Sequence, residues 1–514
     1  MKKSKREQEL ELENKKLKKE NETLKKTLKL QSKQMKQKDE LLEDLLKENK
    51  TIYYKNKYEI ERENNQKLKE ELQEKNDYIA KIRGQLEKNS TNSSKPSSTD
   101  GYTKKIHSFR EKTDKKQGAQ EGHKYHAPKL IEHPDKIVKL RKKHKCECGG
   151  KIKYDEKVIK RQLIDLLTKY YAKEYQGQIG KCNKCGKIYR PQFPKGINNA
   201  VNYGNSTKGF SMILSDYGNV AVDKIKEVIG ILTNTEGPVG GSIMKWKKEF
   251  YEKISPICEE IKEELLKEPV INHDETPYRE NGKQQYAIGA FTERLSLIEC
   301  NGGRDKEAFE AMNIFPRYAG TIVGDHYALN ESFNGETAFC NAHTIRKAKG
   351  VLDVRADSMA KEYIEFMYNL KNEVDKSNKK KLSKERFKVI RSEYIELLEK
   401  WKEEFTSFMF GRDTKYYDEE RKLINLLLEY VDGHLLFAKK SIIPFTNNLA
   451  ERGLRALKSK IKIIGGFRKK FYADGYCKTL SIIQTSQKQK QNPCQIFEKI
   501  FSGERNIFAF QNQS

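Results

Sequence analysis

The first 86 residues contain no proline and one glycine, Gly84. Leu10, Leu17 and Leu24 recur every seven residues, and Asn14, Asn21, Leu28, Met35 and Leu42 occupy the complementary seam. This is an a/d heptad pattern with Leu at d and two Asn at a. It lapses at Gln31, Lys38, Asn49, Asn56 and Glu59 and resumes through Leu68, Leu72, Ile79, Ile82 and Leu86. The abundant Lys, Glu, Leu and Gln tolerate helix, so residues 1–86 read as one long helix. So polar a helix buries only a stripe and needs a partner. Self-association into a coiled-coil homodimer or higher oligomer is the expected arrangement, and packing against the rest of the chain is the alternative.

Composition narrows the classes. Lys and Arg number 102 and Asp and Glu 74, a net charge of +28 in 514 residues. Such a balance points to a polyanionic partner, with a general basic bias as the bland alternative. No run approaches the roughly 20 apolar residues that span a bilayer, and the mixed-charge start is not a secretory signal. Nine sparse cysteines argue against a disulfide-built fold. The expectation is an intracellular, cytoplasmic protein of several domains with a polyanionic partner and no membrane contact.

The sequence from Asn89 to Gly101 is rich in Ser, Asn and Thr and marks a break. Residues 101–145 then carry 14 Lys or Arg against 5 Asp or Glu. Such an arm can follow phosphates without reading bases, and a solubilising linker is the alternative. Next come two cysteine pairs followed by glycine, Cys146-Glu147-Cys148-Gly149 and Cys182-Asn183-Lys184-Cys185-Gly186. Four thiolates in a tetrahedron suit a structural Zn2+ and leave no open position for catalysis. The first pair is one residue short, and His144 is a substitute ligand. Residues 191–266 read as short helices, where the turn Thr235-Glu236-Gly237-Pro238 suggests either a helix-turn-helix reader or a plain packing module.

After Glu268-Pro269 the pattern turns to strands. Val270 and Ile271 lead into Asn272-His273-Asp274-Glu275-Thr276, Gln285–Thr292 and Leu295–Cys300 form a hairpin, and Gly320–Gly324 ends at Asp325-His326. Pairing the first strand with the fourth places Asp274 beside Asp325. Adjacent carboxylates repel unless a cation sits between them, and Mg2+ prefers such oxygen ligands. A strand-end cap is the alternative for either residue alone. Glu275, next to Asp274 on an extended strand, points elsewhere. After a long helical stretch comes Thr446-Asn447-Asn448-Leu449-Ala450-Glu451-Arg452. Glu451 supplies a third carboxylate near a helix start capped by Asn447 or Asn448. Arg452, Arg455, Lys458, Lys460, Lys462, Arg468, Lys469 and Lys470 follow without an acidic residue. They suit a phosphodiester backbone, with an ordinary basic helix as the alternative.

These pieces together resemble the transposases of the insertion-sequence-66 family, the TnpC type. The matching motifs are the heptad helix, the Asn-Ser-Ser-Lys-Pro-Ser-Ser linker, Lys116–His123, the cysteine pairs, His273-Asp274-Glu275-Thr276-Pro277, Gly324-Asp325-His326-Tyr327, Cys340-Asn341-Ala342-His343 with Arg346-Lys347, and Asn447–Arg452. The resemblance implies an α/β fold with a ribonuclease-H-like core and a helical insertion. It implies that Asp274, Asp325 and Glu451 are a catalytic triad holding Mg2+ or Mn2+, with Cys146, Cys148, Cys182 and Cys185 on Zn2+. The implied activity is a DDE transposase that binds double-stranded DNA at element ends, hydrolyses a phosphodiester and transfers the freed 3′-hydroxyl to target DNA, in the company of small accessory proteins. His273 and His326 are candidates for positioning phosphate or water. Cys340 and His343 match a family motif whose role spacing does not give. The expected divisions are a coiled coil at 1–86, a basic linker at 87–143, a zinc region at 144–190, helices at 191–266, the core at 267–350 and 437–485, the insertion at 351–436 and a tail at 486–514. A structure-specific nuclease on the same fold and a catalytically silent DNA-binding protein are the rival readings.

Overall fold

The computed structural model describes residues 5–47, 52–86, 188–325, 335–413 and 416–504, with short pieces at 88, 92, 132–133, 136–138, 147–148, 161–162, 169–181, 185, 333, 507–508 and 510. The chain forms two compact units, one of Met1–Lys105, Val201–Ile225 and Val239–Ser514, the other of Ile106–Ala200 and Lys226–Pro238.

The N-terminal segment is two helices, α1 (Lys5–Lys47) and α2 (Ile52–Leu86), which corrects the expectation of one continuous helix. They run antiparallel. Tyr78 donates to Glu13 at 2.9 Å, Lys75 meets Glu20 at 3.0 Å, Asn76 accepts from Asn21 at 2.9 Å, and Lys38 pairs with Glu61. Asn14, Asn21 and Asn65 are buried along this seam. The two stripes therefore face each other within the chain, with Leu10, Leu17, Leu24, Leu28 and Met35 left half-buried. The pairing of Asn21 with Asn76 satisfies a buried polar group at one register, the use for which such asparagines are best attested.

In the smaller unit, β1 (Gly180–Lys181) and β2 (Ile188–Tyr189) pair antiparallel, with Gly180 opposite Tyr189. In sequence they flank the second cysteine pair. In the larger unit, α3 (Asn205–Met212) runs into a π-helical turn, Ile213–Tyr217. The helix α4 (Val222–Thr233) begins in the larger unit and from Lys226 belongs to the smaller one, and α5 (Gly240–Leu265) lies in the larger unit. Ile243, Phe250, Ile254, Ile261 and Leu265 of α5 are fully buried. The opposite face of α5, which carries Lys245, Lys248 and Glu252, is exposed.

The sheet contains β3 (Val270–Glu280), β4 (Lys283–Phe291), β5 (Ser296–Gly302), β6 (Thr321–Gly324) and β7 (Glu336–Phe339), with α6 (Lys306–Met312) between β5 and β6. Its order is β5-β4-β3-β6-β7. The first three strands are antiparallel neighbours, whereas β6 runs parallel to β3 and β7 parallel to β6. The helices α7 (Asn341–Val354), α8 (Ala360–Lys376), α9 (Lys384–Phe408), α10 (Asp418–Glu429) and α11 (Val431–Lys439) come next, then α12 (Asn448–Ile464), α13 (Lys470–Lys488) and α14 (Pro493–Ser502). Tyr278, Phe291 and Ile298 from the sheet form one core with Leu454 and Leu457 of α12 and Tyr476 and Leu480 of α13. A Cβ on Gly453 would lie 2.2 Å from the Phe291 ring, so glycine is what lets α12 approach β4 this closely. Both α12 and α13 lie against the sheet, α5 packs on α13, and α2 packs on α7.

The helical insertion is pinned by Arg355. Its guanidinium, 3% exposed, pairs with Glu404 of α9 and Glu420 of α10. Ser358 and Trp401 donate to the same Glu420 oxygen, at 2.5 and 2.8 Å. Among the described residues no helix is long and apolar enough to cross a membrane.

Candidate active site

The three carboxylates come from three elements whose placement follows from the sheet. In the β3–β6 pairing Val270 stands opposite Thr321 and Asn272 opposite Val323. Two residues further along each chain stand Asp274 and Asp325, so the parallel register sets them level, as the sequence reading expected. Glu451 lies in the first turn of α12, the helix that packs against β3 and β4. Burial pushes the Asp274 carboxyl up to about 7, and the negative charges of Glu275 and Asp325 add to it against the opposing pull of Lys458 and His273. A buried carboxyl beside another carboxylate resists ionisation for want of positive charge.

Part of that charge comes from α7. The Arg346 guanidinium stands 3.4 Å from Glu451 Oε1, and His343 Nε2 stands 3.9 Å from the same oxygen. Burial, reinforced by Arg346, holds the His343 ring below the usual imidazole range, while Asp325 and Glu451 pull the other way. Lys347 is also lowered by burial and faces Asp325. His343 thus lies within the fields of two of the carboxylates at once. Its Nδ1 is buried without a hydrogen-bond partner.

Asn447 joins the pieces. It is 2% exposed, and its side chain accepts from Asn272 Nδ2 at 2.9 Å and donates to the carbonyl of His273, the peptide just before Asp274. Its backbone N–H donates to Cys340 Sγ at 3.2 Å. One side chain thereby ties the start of α12 to β3, and its backbone ties it to the residue that opens α7. Asn447 occupies the N-cap position of α12 but makes no side-chain cap, because β3 has taken both ends of its amide. The capping expectation for Asn447 is corrected accordingly. This clamp was invisible in the sequence, where Asn447 read as local punctuation.

The Cys-x2-His motif falls in the same place. Cys340 is buried, its thiol pushed up to about 11 by burial. Cys340 Sγ, a His343 ring nitrogen and a Glu451 oxygen lie within 4.8 Å of one another. Such a mixed set suits a softer cation than Mg2+.

Other expected residues lie elsewhere. His273 is 1% exposed and faces the opposite side of β3 from Asp274. Its ring packs edge-on to Phe309 and Phe315, and its Nδ1 lies 3.3 Å from the carbonyl of Gly289. Glu275 shares that face, 3.5 Å from His273 Nε2. Burial opposes ionisation of Glu275, but the imidazole outweighs it and holds the carboxyl low. The phosphate-positioning role considered for His273 is therefore withdrawn. His326 lies outside the described residues. Lys460 is also corrected: it is 8% exposed, with its ammonium on the carbonyl of Ser215 at 3.2 Å, next to the buried Asp216–Lys247 ion pair. Arg452, Arg455, Lys458, Lys462, Arg468, Lys469 and Lys470 are exposed. Of the zinc candidates, Cys148 and Cys185 are exposed free thiols, and Cys146 and Cys182 lie outside the described residues.

Asp274 and Asp325 stand on adjacent parallel strands, and the Asp274 carboxyl resists ionisation, a deficit of positive charge that a divalent cation removes. Among the described residues, the three potential ligands that lie within 4.8 Å of one another are Cys340, His343 and Glu451, and no such group joins Asp274, Asp325 and Glu451. Residues 239–474, from the N-cap of α5 into α13, match the model of the IS66 transposase family, and the chain is consistent with an IS66-type transposase. No curated protein matches the chain.

Proposed function

From that family match, and from Asp274 and Asp325 on adjacent strands with Glu451 on the helix packed against them, we propose that the chain is a DDE-type DNA transposase on a ribonuclease-H-like core. The observation that carries the reading is the strand order, with two antiparallel neighbours on one side of β3 and parallel β6 and β7 on the other. It stations one carboxylate on the central strand, one at the end of the adjacent strand and one on the helix packed across them.

Asp274, Asp325 and Glu451 would hold Mg2+ or Mn2+. When bound, the ion would acidify a water and stabilise the departing 3′ oxygen. Arg346 and His343 keep the Glu451 carboxylate directed into the site. The Asn447 clamp keeps α12 at a fixed distance from β3. Arg455, Lys458 and Lys462 receive the phosphates on either side of the reacting bond, a sequence-independent contribution that salt weakens. Water and then the freed 3′-hydroxyl act as nucleophiles, so no Ser or Tyr nucleophile is needed. Cys146, Cys148, Cys182 and Cys185 on Zn2+ remain the reading of the smaller unit. Small accessory proteins and self-association are further proposals.

The test is an element-end duplex incubated with the full chain, target DNA and Mg2+, with accessory partners supplied. Joined products are expected. Nicking without joining would favour the structure-specific nuclease. Binding without cleavage would favour the silent DNA-binding protein.

A further inference from the structure

The exposed surface of α12 does not end with its basic residues. Arg455, Lys458 and Lys462 follow Glu451 by four, seven and eleven residues, the spacing of a single helix face. They form a stripe that begins at a catalytic carboxylate. Past Lys462 stand Ile463 and Ile464, 63% and 40% exposed, turned about 100° and 200° round the helix from it. Gly465, in the left-handed region at φ +72°, stops the helix there. The chain then turns and is fastened to the end of β3: Phe467 N donates to the carbonyl of Arg279 at 2.7 Å, and Asn281 N donates to the carbonyl of Phe467 at 2.8 Å. Phe467 itself is buried in the core. Arg468, Lys469 and Lys470 follow, all exposed.

Two adjacent bare isoleucines on a fastened turn, with Lys462 before them and three basic residues after, make an unusual surface. Isolated exposed apolar residues are ordinary. Here the chain from Arg452 to Lys470 carries no acidic residue, with Glu280 of β3 the acidic neighbour across the turn at Phe467. That basic run matches a phosphate backbone. Apolar side chains held against DNA in this setting enter between base steps and unstack them.

We propose that Ile463 and Ile464 form a wedge that enters the stacked bases of the bound DNA, while Lys462 and Arg468–Lys470 grip the flanking phosphates. The inference rests on the reading of the chain as a DNA transposase. Twelve residues of helix separate Glu451 from Ile463, about 18 Å at 1.5 Å per residue. At 3.4 Å per base along a strand, the unstacked step lies about five bases from the scissile phosphate. The wedge would hold the end in a bent or opened form suited to cleavage, with the phosphates between it and the carboxylates lying along the basic stripe.

The experiment uses the full chain carrying Asp274→Asn, so that no cleavage occurs, with a duplex copied from the terminal inverted repeat bordering the gene. 2-Aminopurine is placed at successive positions. Fluorescence should rise at one or two positions about five bases from the cleavage site and nowhere else. Adding Ile463→Ser with Ile464→Ser should abolish that rise and weaken binding by roughly tenfold, a change of about 1.4 kcal/mol, without altering the melting temperature. Ile463→Val with Ile464→Leu should retain both signals. Anisotropy on the same samples reports end binding separately. Tight binding with flat 2-aminopurine fluorescence overturns the wedge and leaves the transposase reading standing. No end binding at all, with partners supplied, fails the underlying reading instead. A serine pair that alters the oligomeric state of DNA-free protein and leaves fluorescence unchanged also overturns the wedge, by assigning the isoleucines to a second copy of the chain.

Discussion

Replacing Asn447 with alanine should separate the two halves of the active site. The wild-type amide accepts from Asn272 Nδ2 at 2.9 Å and donates to the His273 carbonyl. The Asn272–Asn447 bond is buried, so removing the amide strands one donor and one acceptor where water does not reach. Each stranded group costs about 1–3 kcal/mol, giving roughly 2–6 kcal/mol for the pair. The tie between the Asn447 backbone and Cys340 survives the change. The loss therefore falls on the register between α12 and β3, the distance between Glu451 and Asp274. A shift of about 1 Å at a reacting centre can cost on the order of 100-fold in rate. Urea unfolding followed by the fluorescence of Trp246 and Trp401 should show a lower midpoint, and end cleavage should fall further than that loss of folded protein explains. Asn447→Asp should not rescue, because it sets a carboxylate oxygen against the His273 carbonyl. A loss below about 0.5 kcal/mol, the scale of an ordinary surface substitution, together with unchanged cleavage, would refute the clamp.

The pH dependence of stability in the metal-free chain should carry the mark of Asp274. Its carboxyl moves from 3.8 to about 7 on folding, so between those values the folded chain keeps a proton that the unfolded chain has lost. Stability is then greatest below about pH 4 and falls as pH rises toward about 7. Asp274→Asn or saturating Mg2+ should flatten that fall in a series of melting curves, and a variant with the full wild-type slope would contradict the assignment. Arg355→Met, which leaves Glu420 buried and unpaired, should cost about 3–5 kcal/mol, measured as a urea midpoint; an unchanged midpoint would show that the pin carries no stability. Cysteines at both Asn21 and Asn76 should form a disulfide within one chain on oxidation, seen as a monomer of altered mobility on a non-reducing gel; a covalent dimer would favour the intermolecular coiled coil.

The elements that carry Asp274, Asp325 and Glu451 were legible because each follows a strong local pattern: two apolar strand runs that stop at a carboxylate, and an Asn-Asn-Leu-Ala-Glu-Arg helix start. The parallel pairing of β3 with β6 needed only that order. The fifth strand was not legible, since Glu336–Phe339 is four residues without alternation. The direction of His273 was available in principle, because neighbours on a strand face opposite ways. Lys460 was misplaced by counting charge without phase. Ala450, Leu454, Leu457 and Ile461 mark the packed face of α12, and Lys460 follows Leu457 by three. A heptad repeat reports that a stripe must be covered and not which helix covers it, so the N-terminal hairpin could not be told from a dimer. Asn447 was beyond sequence reasoning, since its partners lie 174 and 175 positions away.

The most direct test of the central claim is the joining of an element-end duplex to target DNA in Mg2+, measured for the wild type beside Asp274→Asn, Asp325→Asn and Glu451→Gln. The account predicts joined product from the wild type and none from any of the three variants, each of which still binds the duplex with wild-type affinity. A variant that joins ends at the wild-type rate would remove its residue from the metal-holding set and contradict the account.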